Sequence, residues 1–89
     1  MVYYTYVLYS KKDKKFYIGY TTDLKQRFKG HRRGNTKSTK NRQGLNLIYF
    51  EGFINKRDAQ RRERYFKTTQ GKKGLRLILR KTLEHCRVV

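Results

Sequence analysis

Proline is absent from this chain of 89 residues, and cysteine occurs once. A single cysteine cannot form an intrachain disulfide, and Cys86 with the two histidines cannot supply a four-ligand structural zinc site. No stretch is low in complexity, and eight tyrosines and five phenylalanines can supply a core, so we expect a folded domain rather than a disordered basic tail. Neither a signal peptide nor a membrane span is recognisable, and a reducing cell interior is expected.

Acidic residues are scarce: six Asp and Glu stand against 24 Lys and Arg, which gives a net charge of +18. A field of this sign concentrates polyanions and releases counterions from phosphate backbones. The basic residues are spread along the chain, and their excess is far beyond what solubility requires. We therefore expect a nucleic-acid partner.

The N-terminal part of the chain predicts a β-hairpin followed by a helix. Residues 3–10 and 16–20 alternate as strands do, and the polar residues 11–15 form the turn between them. Thr and Asp in residues 21–23 are a helix-start signal, and Gly34 ends the predicted helix after about residue 33.

The remainder predicts a strand and two helices. Residues 45–50 favour a strand, with an extension to Phe53 left open. Asn55 can cap a second helix, which runs to about Lys67. The segment 68–71 breaks it, and residues 75–83 favour a third helix, although the first of them could form a strand. The order β-β-α-β-α-α predicts one α+β domain over the whole chain, a small three-stranded antiparallel sheet flanked by three helices.

One face of the first helix carries both apolar and basic side chains. Leu24, Arg27, Phe28 and His31 recur at the spacing of a single helix face, so Arg27 and His31 lie along or beside the buried stripe. A cation directed at a sheet needs a partner there, unless Arg27 only extends its stem along the apolar face. The basic residues predicted to contact nucleic acid around it are Lys25, Lys29, Arg32, Arg33, Lys37, Lys40 and Arg42.

Glu63 is the acid that structural roles explain least well. Ala59, Glu63 and Phe66 fall on one face of the second helix, so the carboxylate lies on the side that packs. It either forms a salt bridge with a neighbouring arginine or with Arg27, or it is a hard oxygen ligand for a divalent metal that keeps its waters. The other five acids lie in turns, in first helical turns, after a strand or near the C-terminus.

Tyr6 and Tyr17 lie on the two paired strands of the hairpin. Strand tyrosines ordinarily pack, but Gly19, two residues after Tyr17, leaves part of that strand face open. A void beside a phenol would admit a phosphate.

Together these residues resemble the GIY-YIG nuclease superfamily, in particular its small stand-alone members. The resemblance covers about residues 3–70 and rests on Tyr17-Ile18-Gly19 after a strand ending Tyr6-Val7-Leu8, on Arg27, and on Glu63 in a later helix. It implies the fold predicted above and divalent-metal-dependent cleavage of DNA. The first motif departs from it, because Tyr4-Thr5 stands where Gly-Ile is usual.

Carried over by position, the resemblance implies a catalytic set of Tyr6, Tyr17, Arg27, His31 and Glu63, with Gly19 as a structural motif residue. Tyr6 or Tyr17 would be the general base in its phenolate form, and His31 would relay a proton or hold the phenol. Arg27 would stabilise the phosphorus centre, and Glu63 would hold one Mg²⁺ or Mn²⁺ ion.

These observations lead us to expect a DNA endonuclease of low sequence specificity, with RNA as an alternative partner. A cytoplasmic monomer on the nucleoid, engaged in DNA repair or recombination, fits that expectation. The alternative is a basic DNA- or RNA-binding module that keeps the fold without cleavage.

Overall fold

The computed structural model describes residues 1–27 and 45–88, with the backbone alone at 86–88. Its sheet has three antiparallel strands, β1 (Tyr3–Ser10), β2 (Phe16–Thr21) and β3 (Leu45–Phe53), in the order β2-β1-β3. The predicted hairpin is therefore confirmed, and the third strand does extend to Phe53. Because β1 lies in the centre, β2 is an edge strand.

Four helical segments accompany the sheet in the described part of the chain. Helix α1 begins at residue 24 and is described over residues 24–27, where the carboxylate of Asp23 accepts the N–H of Gln26 at 3.0 Å. The others are α2 (Lys56–Phe66), α3 (Thr69–Ile78) and α4 (Arg80–Val88). The predicted α+β class is confirmed, with one helix more than expected.

The extra helix arises from the segment 68–71, which was expected only to break a helix. It does end α2, but the side chain of Thr68 then accepts the N–H of Gly71 at 3.0 Å and caps α3. The predicted third helix over residues 75–83 is wrong in its bounds, because α3 ends at Ile78 and α4 begins at Arg80. The strand alternative for its first residues is also wrong, since Leu75 is a buried helical residue.

The core lies between one face of the sheet and helices α2 to α4. Successive strand residues face opposite sides, and on this face the Thr5 hydroxyl donates to the carbonyl of Ala59 in α2 at 2.6 Å. The buried cluster on the same side consists of Val7, Tyr9, Phe16, Phe66, Leu75, Leu79 and Leu83. Tyr6, between Thr5 and Val7, therefore points to the other face. Within the described residues no helix is long and apolar enough to cross a membrane.

Candidate functional site

The ring of Tyr6 lies across Gly19. The two residues are direct partners in the antiparallel register, and a Cβ atom added at Gly19 would overlap Cζ and Oη of Tyr6 and lie 2.8 Å from Cε1. Tyr6 is 5% exposed. The open space that we expected beside Gly19 is therefore filled by the tyrosine, and the glycine serves to let the phenol reach over the edge strand.

Arg27 meets that phenol from α1. Its Nε donates to the Tyr6 hydroxyl at 3.1 Å, although the residue as a whole is exposed. The cation directed at the sheet thus has a partner, which is one of the two alternatives that the spacing on the helix left open. Among the described residues the two Nη atoms of Arg27 have no partner, so they can contact a phosphate placed over the phenol.

Tyr17 lies on the same sheet face as Gly19 but is tied to the hairpin turn. It pairs with Leu8, and its hydroxyl donates to Oδ2 of Asp13 at 2.5 Å. This hydrogen bond is the main cause that holds the pKa of Asp13 below its usual value. Asp13 was expected to be a turn residue only, whereas the structure also makes it the partner of a candidate catalytic tyrosine.

Glu63 is directed towards the β2 side of the sheet by the geometry of α2. Arg62 follows the buried Ala59 by three residues and precedes the buried Phe66 by four, whereas Glu63 follows Ala59 by four and precedes Phe66 by three. Their side chains therefore lie on opposite sides of the line that joins Ala59 and Phe66. Arg62 pairs with Glu51 of β3, which forms the edge of the sheet opposite to β2. Glu63 must therefore lie on the side of α2 that faces β2.

The partner of Glu63 is Lys67 rather than an arginine. Oε2 accepts from Lys67 Nζ at 3.1 Å, one helical turn further along α2, and the Glu63 side chain is 22% exposed. The expectation of a bridge to a neighbouring arginine was wrong because Arg61 pairs with Asp58 and Arg62 with Glu51.

Among the described residues the structure brings Tyr6, Gly19 and Arg27 together on one face of the sheet. Glu63 lies on α2, which packs on the opposite face, and its hydrogen-bond partner is Lys67. Lys25 is exposed on α1. The other predicted residues lie outside the described part of the chain: His31, Lys29, Arg32, Arg33, Lys37, Lys40 and Arg42.

A partly buried charge cluster at β3 was not predicted from the sequence. Glu51 was expected after a strand but lies inside β3, where its Oε1 accepts from Arg62 Nε at 2.9 Å and its Oε2 from Arg62 Nη2 at 3.2 Å. The Tyr49 hydroxyl donates to the same Oε2 at 2.5 Å, and the guanidinium of Arg62 lies 4.4 Å from the centre of the Phe66 ring. The sequence feature that could have predicted this cluster is the spacing of Tyr49 and Glu51, because residues two apart share a strand face once β3 extends to Phe53.

Burial and hydrogen bonding in this cluster shift the pKa of Glu51 in opposite directions. Burial raises its pKa, but the hydrogen bonds from Arg62 and Tyr49 outweigh burial, so the pKa lies below its usual value. The same contact with Glu51 raises the pKa of Arg62. The cluster fixes α2 against β3, and this contact leaves Glu63 on the opposite flank.

A pH-dependent stability follows from the Glu51 cluster. Because the folded pKa lies below the unfolded value, the stabilisation is present above about pH 4.3 and is lost as the pH falls through the folded pKa. We expect Glu51→Gln to lower the free energy of unfolding by about 1–2 kcal/mol at pH 6, and the difference from the wild type to shrink towards pH 3. Urea unfolding across this range measures it. Glu84→Gln, which removes an exposed pair with Lys81, is the control, and a difference that does not vary with pH would contradict the assignment.

Comparison with known proteins shows the family to which the chain belongs. The family model of the GIY-YIG catalytic domain matches residues 2–76, and the chain belongs to that family. Its curated relatives include small UPF0213 proteins. CPE1444 of Clostridium perfringens is 42% identical over 82 residues, which span 91% of this chain and 87% of the relative. SH2523 of Staphylococcus haemolyticus is 38% identical over 76 residues, 84% of this chain and 92% of the relative.

A solved structure is similar as well. The solution NMR structure of the UPF0213 protein BH0048 from Bacillus halodurans has a TM-score of 0.57 and 34% sequence identity, covering 88% of this chain and 85% of that one. The resemblance drawn from the motifs is therefore confirmed. The chain is a small GIY-YIG protein, and its domain type is that of a nuclease superfamily.

Proposed function

We propose that this protein is a divalent-metal-dependent endonuclease that hydrolyses DNA phosphodiester bonds with low intrinsic sequence specificity. The observation that carries the proposal is the hydrogen bond from Arg27 to the Tyr6 hydroxyl above Gly19, because it holds an exposed cation that can bind phosphate against a buried phenol at the β2 edge of the sheet. Family membership and the net charge of +18 support the same substrate class. Binding through backbone phosphates carries no sequence information, which accounts for the low specificity.

Tyr6 is the better placed of the two candidate bases. Its oxygen accepts a hydrogen bond from Arg27 Nε, so its own hydroxyl proton is not used in that bond. The Tyr17 hydroxyl donates a hydrogen bond to Asp13, which assigns Tyr17 a positioning role near the turn. The Nη atoms of Arg27 would stabilise the charge that develops on the phosphoryl oxygens. His31 remains the proposed relay for the proton.

Glu63 suits a single Mg²⁺ or Mn²⁺ ion. Within the described residues no group of three or more His, Cys, Asp or Glu side chains lies together, so an all-protein cage is not available there. Magnesium instead favours one or two carboxylates with waters and a substrate phosphate, and Glu63 is a partly exposed carboxylate on the β2 side of α2. A bound ion would supply polarisation of the phosphate and stabilisation of the leaving oxygen.

The proposal predicts that Glu63→Gln abolishes metal-dependent cleavage while the protein stays folded. The variant removes the charge that would hold the ion but keeps the shape of the side chain, and we expect nicking of supercoiled plasmid to fall about 100-fold or more. Rates are measured with Mg²⁺, Mn²⁺ or EDTA, beside Glu84→Gln, which removes an exposed acid far along the chain. Nicking that continues in EDTA, or equally in folded Glu63→Gln, would contradict the proposal.

A second candidate function is a DNA- or RNA-binding module without cleavage. The ion pair between Glu63 and Lys67 favours it, because the carboxylate already has a structural partner. On this alternative Glu63→Gln changes the melting temperature of the protein, no metal stimulates nicking, and binding to DNA persists in EDTA. The metal dependence of plasmid nicking separates the two functions, since both predict that DNA is bound in EDTA.

A further inference from the structure

The turn between β1 and β2 concentrates charge in a way that the catalytic site does not explain. We call residues 11–15 the lysine turn: four of its five residues are lysines, and all five are exposed. Four like charges in so short a segment repel one another, and this repulsion is relieved when a polyanion binds.

Asp13 is the single acid of the lysine turn, and both of its carboxylate oxygens accept hydrogen bonds from neighbouring residues. Oδ1 of Asp13 accepts the N–H of Lys15 at 3.2 Å, and Oδ2 accepts the Tyr17 hydroxyl at 2.5 Å. Its pKa is lowered by these contacts, so it stays ionised as a structural acceptor. Asp13 thus fixes the turn and links it to Tyr17, while the lysine side chains remain on the surface.

Lys14 occupies a backbone position that does not favour lysine. Its φ is 58°, in the left-handed region, and its N–H donates to the carbonyl of Ser10 at 2.8 Å, so the turn requires this conformation. Glycine or asparagine would adopt it at lower cost, and a lysine there costs about 1 kcal/mol. A cation kept at a strained position, beside three others, indicates a role for the charge outside the turn.

We propose that the lysine turn is a second contact for the nucleic-acid backbone, separate from the site at Tyr6 and Arg27. Lys11, the first residue of the turn, lies five positions along the chain from Tyr6, a distance of about 17 Å at roughly 3.4 Å per residue. On a duplex this corresponds to a phosphate about five base pairs from the bond to be cleaved, at 3.4 Å per pair. That placement depends on the proposed function. The contact sets the register of the DNA on the protein and adds no base readout.

The test compares two triple variants that remove the same number of charges. Lys12, Lys14 and Lys15 are changed to glutamine in the turn variant, and Lys56, Lys72 and Lys73 in the helix variant. Binding to a fluorescent DNA duplex is measured by anisotropy in EDTA over a series of salt concentrations, with melting curves to confirm the fold. We expect the slope of log K against log salt to become shallower by about two to three in the turn variant and by less than about one in the helix variant. Arginine at the three turn positions should restore the slope.

Equal changes of slope in both variants, or no change in either, would overturn the proposal. So would loss of binding to vesicles of phosphatidylglycerol in the turn variant with an unaltered DNA slope, since the turn would then serve an anionic membrane. Because EDTA prevents metal-dependent cleavage, the binding result is independent of turnover. If the wild type never nicks DNA but shows the turn-dependent slope, the proposed endonuclease function is refuted, whereas the nucleic-acid contact at the lysine turn is supported.

Discussion

Arg27→Ala is expected to lower the rate of metal-dependent plasmid nicking by about 100- to 1,000-fold. The guanidinium is the one group that contacts Tyr6 and also presents free donors at the β2 edge within the described residues. Its loss removes stabilisation of the transition-state charge and leaves the phenol without its donor. Because Arg27 is exposed and lies near the start of α1, the change in melting temperature should be small.

Two controls distinguish a catalytic role of Arg27 from a general effect of charge. Lys25→Ala removes an exposed cation from the same helix and should weaken DNA binding without a comparable loss of rate at saturating DNA. Arg27→Lys keeps the charge, but it replaces the planar guanidinium by a compact ammonium. The ammonium cannot donate to Tyr6 and to a phosphate in the same geometry, so this variant should recover only part of the rate. If Arg27→Ala and Lys25→Ala reduce nicking equally, Arg27 has no special part in cleavage.

Gly19→Ala is expected to damage both stability and cleavage. The added methyl group would occupy the space of Cζ and Oη of Tyr6, so the buried ring would have to leave its position over β2. Overpacking of this kind costs about 1–3 kcal/mol, which urea unfolding would measure, and the displaced phenol can no longer meet Arg27. Nicking should therefore fall by more than the loss of folded protein accounts for.

The same substitution at Gly74 serves as the control for Gly19→Ala. A Cβ there meets no atom within 4 Å, and the residue lies within α3, so Gly74→Ala should raise the free energy of unfolding by up to about 1 kcal/mol. The double variant Gly19→Ala/Tyr6→Ala removes the overlapping ring, and it should be less unstable than the sum of its single variants while remaining inactive. A fully stable and active Gly19→Ala protein would show that the ring does not lie across Gly19.

Much of the fold follows from local sequence patterns. The alternation in residues 3–10 and 16–20 predicted the hairpin, and Asn55 was recognised as the cap of α2, where its side chain accepts the N–H of Arg57 at 2.8 Å. The helix that begins in the segment 68–71 was not predicted, because Thr68 is a favoured N-cap residue as well as part of a helix break, and the local sequence is compatible with both roles. Family membership was likewise predictable, since it depends on residue types at fixed spacings.

The sequence by itself determined which side chains could take part in the site: Tyr6, Gly19 and Arg27 near one another along the chain, and Glu63 on a packing face of α2. Only the tertiary structure decided how they are arranged. The register of β1 on β2 places Tyr6 opposite Gly19, and the contact of Arg62 with Glu51 turns Glu63 towards β2. Periodicity specifies the face of an element, whereas register and helix rotation arise from contacts between residues distant in the chain.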